Sequence, residues 1–189
     1  MKFDILPHEG KVVGLYYTRD RTDFLTDSVD HLEFDFEGID GDRHSGYLKP
    51  VGPREKHYTK GHQIRNNRQW SAVSVEDNDV IGNKLGLETL KPEWIGANIL
   101  VEGIPNFSDL PPMTHLRINS SREDAVTLIV FEKNQPCFKP DRPIKQFGGA
   151  IPRMPFATAA YNIRGLLGWV DHPGTVRVGD PVQVMLLKG

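Results

Sequence analysis

The chain has 189 residues, of which 38% are hydrophobic and 25% are charged, and its formal net charge at pH 7 is -2. This length is enough for one well-buried core, so we expect residues 1–189 to form a single domain. The single cysteine excludes an internal disulfide and a cysteine-rich zinc site, and it favours a reducing, cytoplasmic location. The amino terminus lacks the apolar core of a secretory signal and no apolar run is long enough for a membrane span, so we expect no membrane partner.

Positive charge is concentrated in one part of the sequence. Residues 41–70 contain seven basic residues and two acids, which leaves this segment at +5 and the rest of the chain at -7. A basic segment attracts phosphates and carboxylates, whereas the acidic remainder argues against nucleic-acid binding. We therefore expect a small anionic ligand; the alternative is a solvated loop with no ligand.

Strand signals dominate when the elements are taken in chain order. Short runs rich in β-branched and aromatic residues, separated by glycine and proline turns, predict eight strands: 12–18, 32–36, 70–75, 97–101, 115–118, 126–132, 166–170 and 181–187. Many short strands joined in this way indicate a mainly β barrel or sandwich.

Two helices interrupt the strand pattern. Ser74 and Asp77 form a capping box, apolar residues recur at helical spacing after them, and Gly86 follows as the cap, which together predict a helix over 74–85. An alanine-rich segment that stops before Gly165 predicts a second helix over 155–164. Residues 47–67 form the longest stretch without a secondary-structure signal, and such loops are commonly functional lids or disordered.

Cys137 is the first candidate for chemistry. It follows the strand 126–132 in a loop bent by Pro136, and Lys133 and Lys139 flank it in the sequence. Neighbouring cations favour the reactive thiolate, so we predict a functional thiol. The alternative is a small, buried, inert side chain.

Other polar residues have more than one interpretation each. His44 either hydrogen-bonds a cofactor or positions Asp42, or else it simply caps a strand end. Asn98 either contacts a ligand or fixes a turn through its own backbone. His57 and His62 lie five residues apart without a nearby cysteine or paired acid, which disfavours a zinc site.

Several segments, in this order along the chain, resemble the MOSC domain, the family named for the carboxy-terminal domain of molybdenum cofactor sulfurase. They are Gly-Ile-Asp-Gly-Asp-Arg-His at 38–44, Gly-Ala-Asn-Ile-Leu-Val-Glu-Gly at 96–103, Asp-Leu-Pro-Pro-Met-Thr-His-Leu-Arg-Ile at 109–118, Gln-Pro-Cys at 135–137, and Arg-Gly-Leu-Leu-Gly-Trp-Val at 164–170 followed by Pro-Gly-Thr-Val-Arg-Val-Gly-Asp at 173–180. Each segment alone is common in turns or strands of unrelated proteins, whereas all five in this order are specific for the family.

The resemblance implies a MOSC-type β-barrel with a few peripheral helices that binds the molybdenum cofactor, a molybdenum-carrying pterin with a terminal phosphate. It implies that Cys137 either ligates the molybdenum or holds a transferable sulfur as a persulfide. The candidate cofactor-binding residues are Gly41, Asp42, Arg43, His44, Arg54 and Asn98.

Two functions follow from the resemblance. One is the reduction of N-hydroxylated substrates by a molybdenum-dependent oxidoreductase, which needs an external electron donor or acceptor enzyme because the sequence contains no flavin, haem or iron–sulfur motif. The alternative is a sulfur carrier or cofactor carrier without turnover of its own. A third possibility, from the charge pattern alone, is an anion-binding domain without chemistry. The chain lacks the aminotransferase-like domain of the full sulfurases, so we do not expect it to bind pyridoxal phosphate by itself.

Overall fold

The computed structural model describes residues 2–20, 24–119 and 121–188. Within these residues, short strands follow one another along the chain and helices lie between some of them. The strands are β1 (Phe3–Tyr17), β2 (Asp27–Val29), β3 (His31–Asp35), β4 (Gly38–Ile39), β5 (Leu48–Pro50), β6 (Gln63–Arg65), β7 (Trp70–Ser74), β8 (Ile99–Glu102), β9 (His115–Ile118), β10 (Val126–Lys133), β11 (Leu166–His172), β12 (Gly174–Arg177) and β13 (Pro181–Leu187). The helices are α1 (Val75–Leu85), α2 (Asp141–Phe147) and α3 (Phe156–Ala159), with 3-10 turns at Pro92–Ile95 and Phe107–Asp109.

Seven of these strands close into a barrel. Around the barrel they run in the order β1, β13, β9, β10, β11, β7 and β8, and β8 pairs again with β1. Every pair is antiparallel except β7 with β8. The length of β1 makes closure possible, because its first part pairs with β13 and its second part pairs with β8. The predicted mainly β barrel with a few helices is confirmed.

The barrel interior is apolar. Alternation along the strands places Leu15, Leu128 and Val184 inside, each with no exposed surface, and Trp70 fills the space between them. Gly168 in β11 allows the wall to pack closely, because a Cβ at this position would lie 1.8 Å from the carbonyl oxygen of Ile129. The inward-facing side chains of the barrel therefore form one packed apolar core.

A second apolar cluster lies outside the barrel wall. Ile81 and Leu85 of α1 pack with Phe156 and Ala159 of α3 and with Val73, whose side chain points away from the barrel interior. Helix α1 begins as predicted, since Ser74 Oγ accepts a hydrogen bond from the Asp77 N–H at 3.1 Å, and it ends at Gly86 with φ of 77°. The prediction of a helix over 74–85 is confirmed.

Several parts of the chain differ from the sequence-based expectation, and strands β2, β4 and β12 were not predicted. The second predicted helix is much shorter, because Asn162 adopts a left-handed conformation with φ of 63° and the residues after Ala159 form consecutive turns. Helix α2 was not predicted; it begins directly after Pro140 and contains Pro143 in its first turn, where a missing N–H is tolerated. The segment 47–67 contains the two-stranded sheet β5–β6, so the expectation that it lacks secondary structure was wrong.

Candidate functional site

A cavity of about 430 Å³ lies against the outer wall of the barrel, and we call it the thiol cavity because Cys137 lines it. Ala72 and Leu166 face the barrel interior, so their neighbours Ser71 and Leu167 face outward, and both line this cavity. The complete lining is Phe24, Arg43, His44, Lys49, Gly52, Pro53, Arg54, Glu55, Arg68, Trp70, Ser71, Gly96, Asn98, Asn134, Cys137, Lys139, Arg164 and Leu167. The cavity is built from segments that leave β1, β4, β5 and β10 or enter β7, β8 and β11.

Cys137 is partly exposed in the loop between β10 and α2. The backbone N–H of Asn134 donates to the Gly165 carbonyl at 2.9 Å, which fixes the start of this loop against the start of β11. Of the two flanking lysines, Lys139 lines the thiol cavity, whereas Lys133 pairs with Asp109 and does not line it. Only one of the two lysines that flank Cys137 in the sequence therefore lies at the cavity that holds the thiol.

The cation in contact with the sulfur is Arg164. Its Nη1 lies 3.7 Å from Sγ of Cys137 and also donates to the Gln135 carbonyl at 2.8 Å, while Nη2 donates to the Ile95 carbonyl at 3.3 Å. Arg164 is 6% exposed, and burial lowers its pKa to about 10. At neutral pH the guanidinium is still charged, so the sulfur has a buried cation within hydrogen-bond distance.

A buried network of polar groups supports another wall of the thiol cavity. Asp42 Oδ2 accepts hydrogen bonds from the Thr18 N–H at 3.2 Å and from Asn98 Nδ2 at 3.3 Å. Asp42 Oδ1 accepts from the His44 N–H at 2.8 Å and lies 3.1 Å from His44 Nδ1. Burial alone would raise the pKa of Asp42, but the hydrogen bonds from His44 outweigh it and the pKa is lowered. The carboxylate therefore stays ionised and orients both His44 and Asn98.

The candidate cofactor-binding residues fall into two groups, those that line the thiol cavity and those that lie behind its wall. Arg43, His44, Arg54 and Asn98 line the thiol cavity. Gly41 and Asp42 are not among the lining residues. Gly41 has φ of 71° and allows the turn that buries Asp42, so both positions act behind the cavity wall.

Cations dominate the lining of the thiol cavity. The lining contains one carboxylate, that of Glu55, and six basic side chains: Arg43, Lys49, Arg54, Arg68, Lys139 and Arg164. Burial and the nearby charge of Arg54 lower the pKa of Arg68, although its Nη1 is paired with Glu132 at 3.1 Å. Lys49 forms a 2.5 Å ion pair with Glu55 and lowers the pKa of that carboxyl. This excess of positive charge fits an anionic ligand with more than one negative charge.

A larger cavity of about 860 Å³ adjoins the thiol cavity. The two share Phe24, Arg43, His44 and Lys139, and the larger one continues along α2. The thiol and its cations therefore have space beside them for a second molecule.

Sequence reasoning did not single out Arg164, Ser71 or Lys139 as site residues. Arg164 stood within one of the resemblance segments, which was the available signal, but only the fold places it beside Cys137. Ser71 Oγ donates to Asn98 Oδ1 at 3.1 Å and orients that amide.

Among the described residues no group of three or more histidine, cysteine or acidic side chains could hold a metal ion. His57 and His62 therefore do not belong to such a group. Nor does any helix within 2–20, 24–119 and 121–188 have the length and apolar character needed to cross a membrane.

Comparison with known families and proteins gives consistent results. The sequence pattern of the MOSC domain family matches residues 59–183. The chain is 36% identical over 176 residues to YuaD of Bacillus subtilis strain 168, a match that covers 92% of this chain and 89% of YuaD. The name of that protein assigns it provisionally to metal-sulfur cluster biosynthesis.

Solved structures resemble the fold closely. The crystal structure of Bacillus subtilis YuaD superposes with a TM-score of 0.87 at 32% identity and covers 99% of this chain and 100% of that one. YiiM from Escherichia coli superposes with a TM-score of 0.60 at 16% identity, over 95% of this chain and 71% of YiiM, and this more distant similarity concerns the fold alone.

Proposed function

The chain belongs to the MOSC domain family, and we propose that its thiol cavity binds the molybdenum cofactor with Cys137 as a ligand of the metal. The observation that carries this proposal is the 3.7 Å contact between Cys137 Sγ and the buried guanidinium of Arg164, inside a cavity lined by cations. A thiolate is a soft donor that suits a soft-ligand metal site.

The residues present fit such a cofactor in size, charge and donor type. The volume of about 430 Å³ lies within the range of about 300–1,000 Å³ that is typical of ligand pockets. Arg43 and Arg54 are the candidates for binding the phosphate, because a guanidinium contacts phosphate oxygens through two parallel hydrogen bonds. Asn98 and His44, held by Asp42, supply fixed polar groups for the pterin. Arg164 places a buried guanidinium 3.7 Å from the sulfur.

The reaction that we propose is the reduction of an N-hydroxylated substrate to the amine. It consumes two electrons and two protons, breaks the N–O bond and releases water. When bound, the cofactor supplies the two-electron chemistry; an external protein must supply the electrons, because the sequence contains no redox motif of its own. Substrate has space in the adjoining cavity of about 860 Å³. Cys137 must stay reduced, outside any disulfide, in order to ligate the metal, and a reducing cytoplasm maintains that state.

A second candidate is a carrier function, which the name of Bacillus subtilis YuaD favours. In this case the Cys137 thiolate attacks the outer sulfur of a donor persulfide. A new S–S bond forms on Cys137, the donor's S–S bond breaks, and the donor leaves as a thiolate. The charge is conserved and no outside oxidant is needed. Arg164 would stabilise the anion before and after transfer.

The test is the molybdenum content of protein purified from cells that make the cofactor, compared with cells that cannot make it. We expect molybdenum in the wild type and none in Cys137→Ser, which keeps the side-chain size and removes the soft ligand. Arg54→Ala and Arg43→Ala should each lower cofactor affinity about tenfold, because each removes a charge-assisted contact worth about 1.5–3 kcal/mol.

Arg65→Ala is the matched control, because Arg65 is exposed and does not line the thiol cavity. Wild-type occupancy in Cys137→Ser and in both cavity variants would contradict cofactor binding. With cofactor bound, steady turnover with an artificial electron donor supports the reductase. A persulfide on Cys137 in mass spectra, without turnover, supports the carrier.

A further inference from the structure

A basic arm, defined as residues 47–67, lies beside the thiol cavity and belongs to neither apolar core. Strands β5 and β6 pair over three residues each, and the chain between them is held by turns and by the ion pair of Lys49 with Glu55. Residues 56–63 are all exposed. The arm is therefore an ordered surface segment whose outer side chains need an explanation other than folding.

The outer side of the arm carries cations that do not line the thiol cavity. These are Lys56 and Lys60, and within the described part of the chain neither of them pairs with a carboxylate. The whole arm has five basic residues and one acid, which is +4, so the rest of the chain is at -6. A molecule with this asymmetry attracts an acidic partner to the arm and repels it elsewhere.

Large apolar and aromatic side chains lie among these cations. Tyr47, Leu48 and Tyr58 are 52%, 59% and 51% exposed. Tyrosine is enriched at protein interfaces, and the lysines beside it supply the charge that attracts an acidic partner. Nucleic acid is the less suitable partner, because a long polyanion would also meet the acidic remainder of the surface.

The inner side of the same arm forms part of the thiol cavity. Lys49, Arg54 and Glu55 line it, and Arg54 Nη2 donates to the Gln135 carbonyl at 3.2 Å, two residues before Cys137. A protein bound to the outer side of the arm would therefore lie next to the opening that leads to the thiol.

We propose that the outer face of the basic arm docks an acidic protein beside the opening of the thiol cavity. This rests on the proposed function in one respect, since both functions of Cys137 require a second protein, either to supply electrons or to exchange sulfur. The docking face itself consists of Lys56, Tyr58 and Lys60, and none of these three is assigned to cofactor binding.

The test uses poly-L-glutamate as the acidic polypeptide, with poly(U) and phosphatidylglycerol vesicles as the other polyanions. Binding is measured by fluorescence anisotropy or co-sedimentation at an ionic strength of about 0.01 M and again at about 0.1 M, where the Debye length falls from about 30 Å to about 10 Å. The variant is Lys56→Glu with Lys60→Glu. Its matched control is Lys2→Glu with Lys11→Glu, two exposed lysines before and within β1.

We expect poly-L-glutamate to bind the wild type, to bind about tenfold more weakly at the higher ionic strength, and to lose about tenfold affinity in the arm variant but less than twofold in the control. Bound poly-L-glutamate should also slow alkylation of Cys137 by iodoacetamide, a neutral reagent whose rate the arm substitutions by themselves should not change. Equal affinity of the arm variant and the control, unchanged alkylation in the complex, or tighter binding of poly(U) or vesicles through the arm would each overturn the proposal.

Cofactor content is measured on the same proteins. The arm variant should take up as much molybdenum as the wild type. Absence of molybdenum from both would contradict the proposed function and leave the docking result intact.

Discussion

Replacement of Arg164 by methionine should slow the alkylation of Cys137 by iodoacetamide about sixfold or more at neutral pH. Nη1 of Arg164 lies 3.7 Å from Sγ of Cys137. Two unit charges at this distance interact with about 1 kcal/mol if water screens them fully, and with about 4 kcal/mol at an effective dielectric constant of about 20. Because Cys137 is partly exposed we take the lower figure, which corresponds to about sixfold in the rate of a reaction in which the sulfur acts as an anion.

The same substitution should change the stability of the fold only moderately. Burial lowers the pKa of Arg164 to about 10. The unfolded state therefore holds this proton more tightly, and at neutral pH the full cost of burying the charge, about 3 kcal/mol, is present. Methionine removes that cost, but it deprives the carbonyls of Gln135 and Ile95 of a charged donor, at about 1.5–3 kcal/mol each. We expect the free energy of unfolding to fall by less than about 3 kcal/mol.

The assay follows thiol loss under pseudo-first-order conditions, with far-UV circular dichroism and urea unfolding to establish that the variant is folded. Arg65→Met is the control, because Arg65 is an exposed arginine outside the thiol cavity. Arg164→Lys keeps the charge with fewer donors, so its rate should lie between those of the wild type and the methionine variant. A folded Arg164→Met protein that reacts within twofold of the wild-type rate would refute the argument that Arg164 activates the sulfur.

Three further predictions concern the framework. Asp42→Asn should lower the free energy of unfolding by about 2 kcal/mol at neutral pH. Hydrogen bonds from His44 hold the pKa of Asp42 below its usual value, so this difference should shrink as pH falls through that lowered pKa. A difference in urea unfolding that does not change with pH would contradict this prediction. Gly168→Ala should cost about 3 kcal/mol or more, since its Cβ would lie 1.8 Å from the Ile129 carbonyl oxygen, and an unchanged melting temperature would argue against this packing. Ser74→Ala should cost about 1 kcal/mol through loss of the α1 cap, measured by chemical unfolding.

Local features of the sequence determined much of the fold. The capping residues of α1 and the alternating apolar pattern of the barrel strands act through neighbours a few residues away, so a single sequence contains the information that they need. Helix α2 and the β5–β6 hairpin were not predicted, because α2 is short with a proline near its start and the hairpin strands have three residues each. Elements of this length depend on the packing around them more than on propensity.

The functional residues divide in the same way. Cys137 and the basic segment stand out in the sequence because a lone cysteine and an excess of charge are properties of composition, and the MOSC resemblance connected them. The sequence could not identify which cation touches the sulfur: its near neighbour Lys133 pairs with Asp109, whereas Arg164, 27 residues away, contacts Sγ. That choice depends on the pairing of β10 with β11, which brings the loop after one strand against the residue before the other. Electrostatic interactions act through space, so the partners of a charged site are decided by strand pairing and burial, which only the tertiary structure supplies.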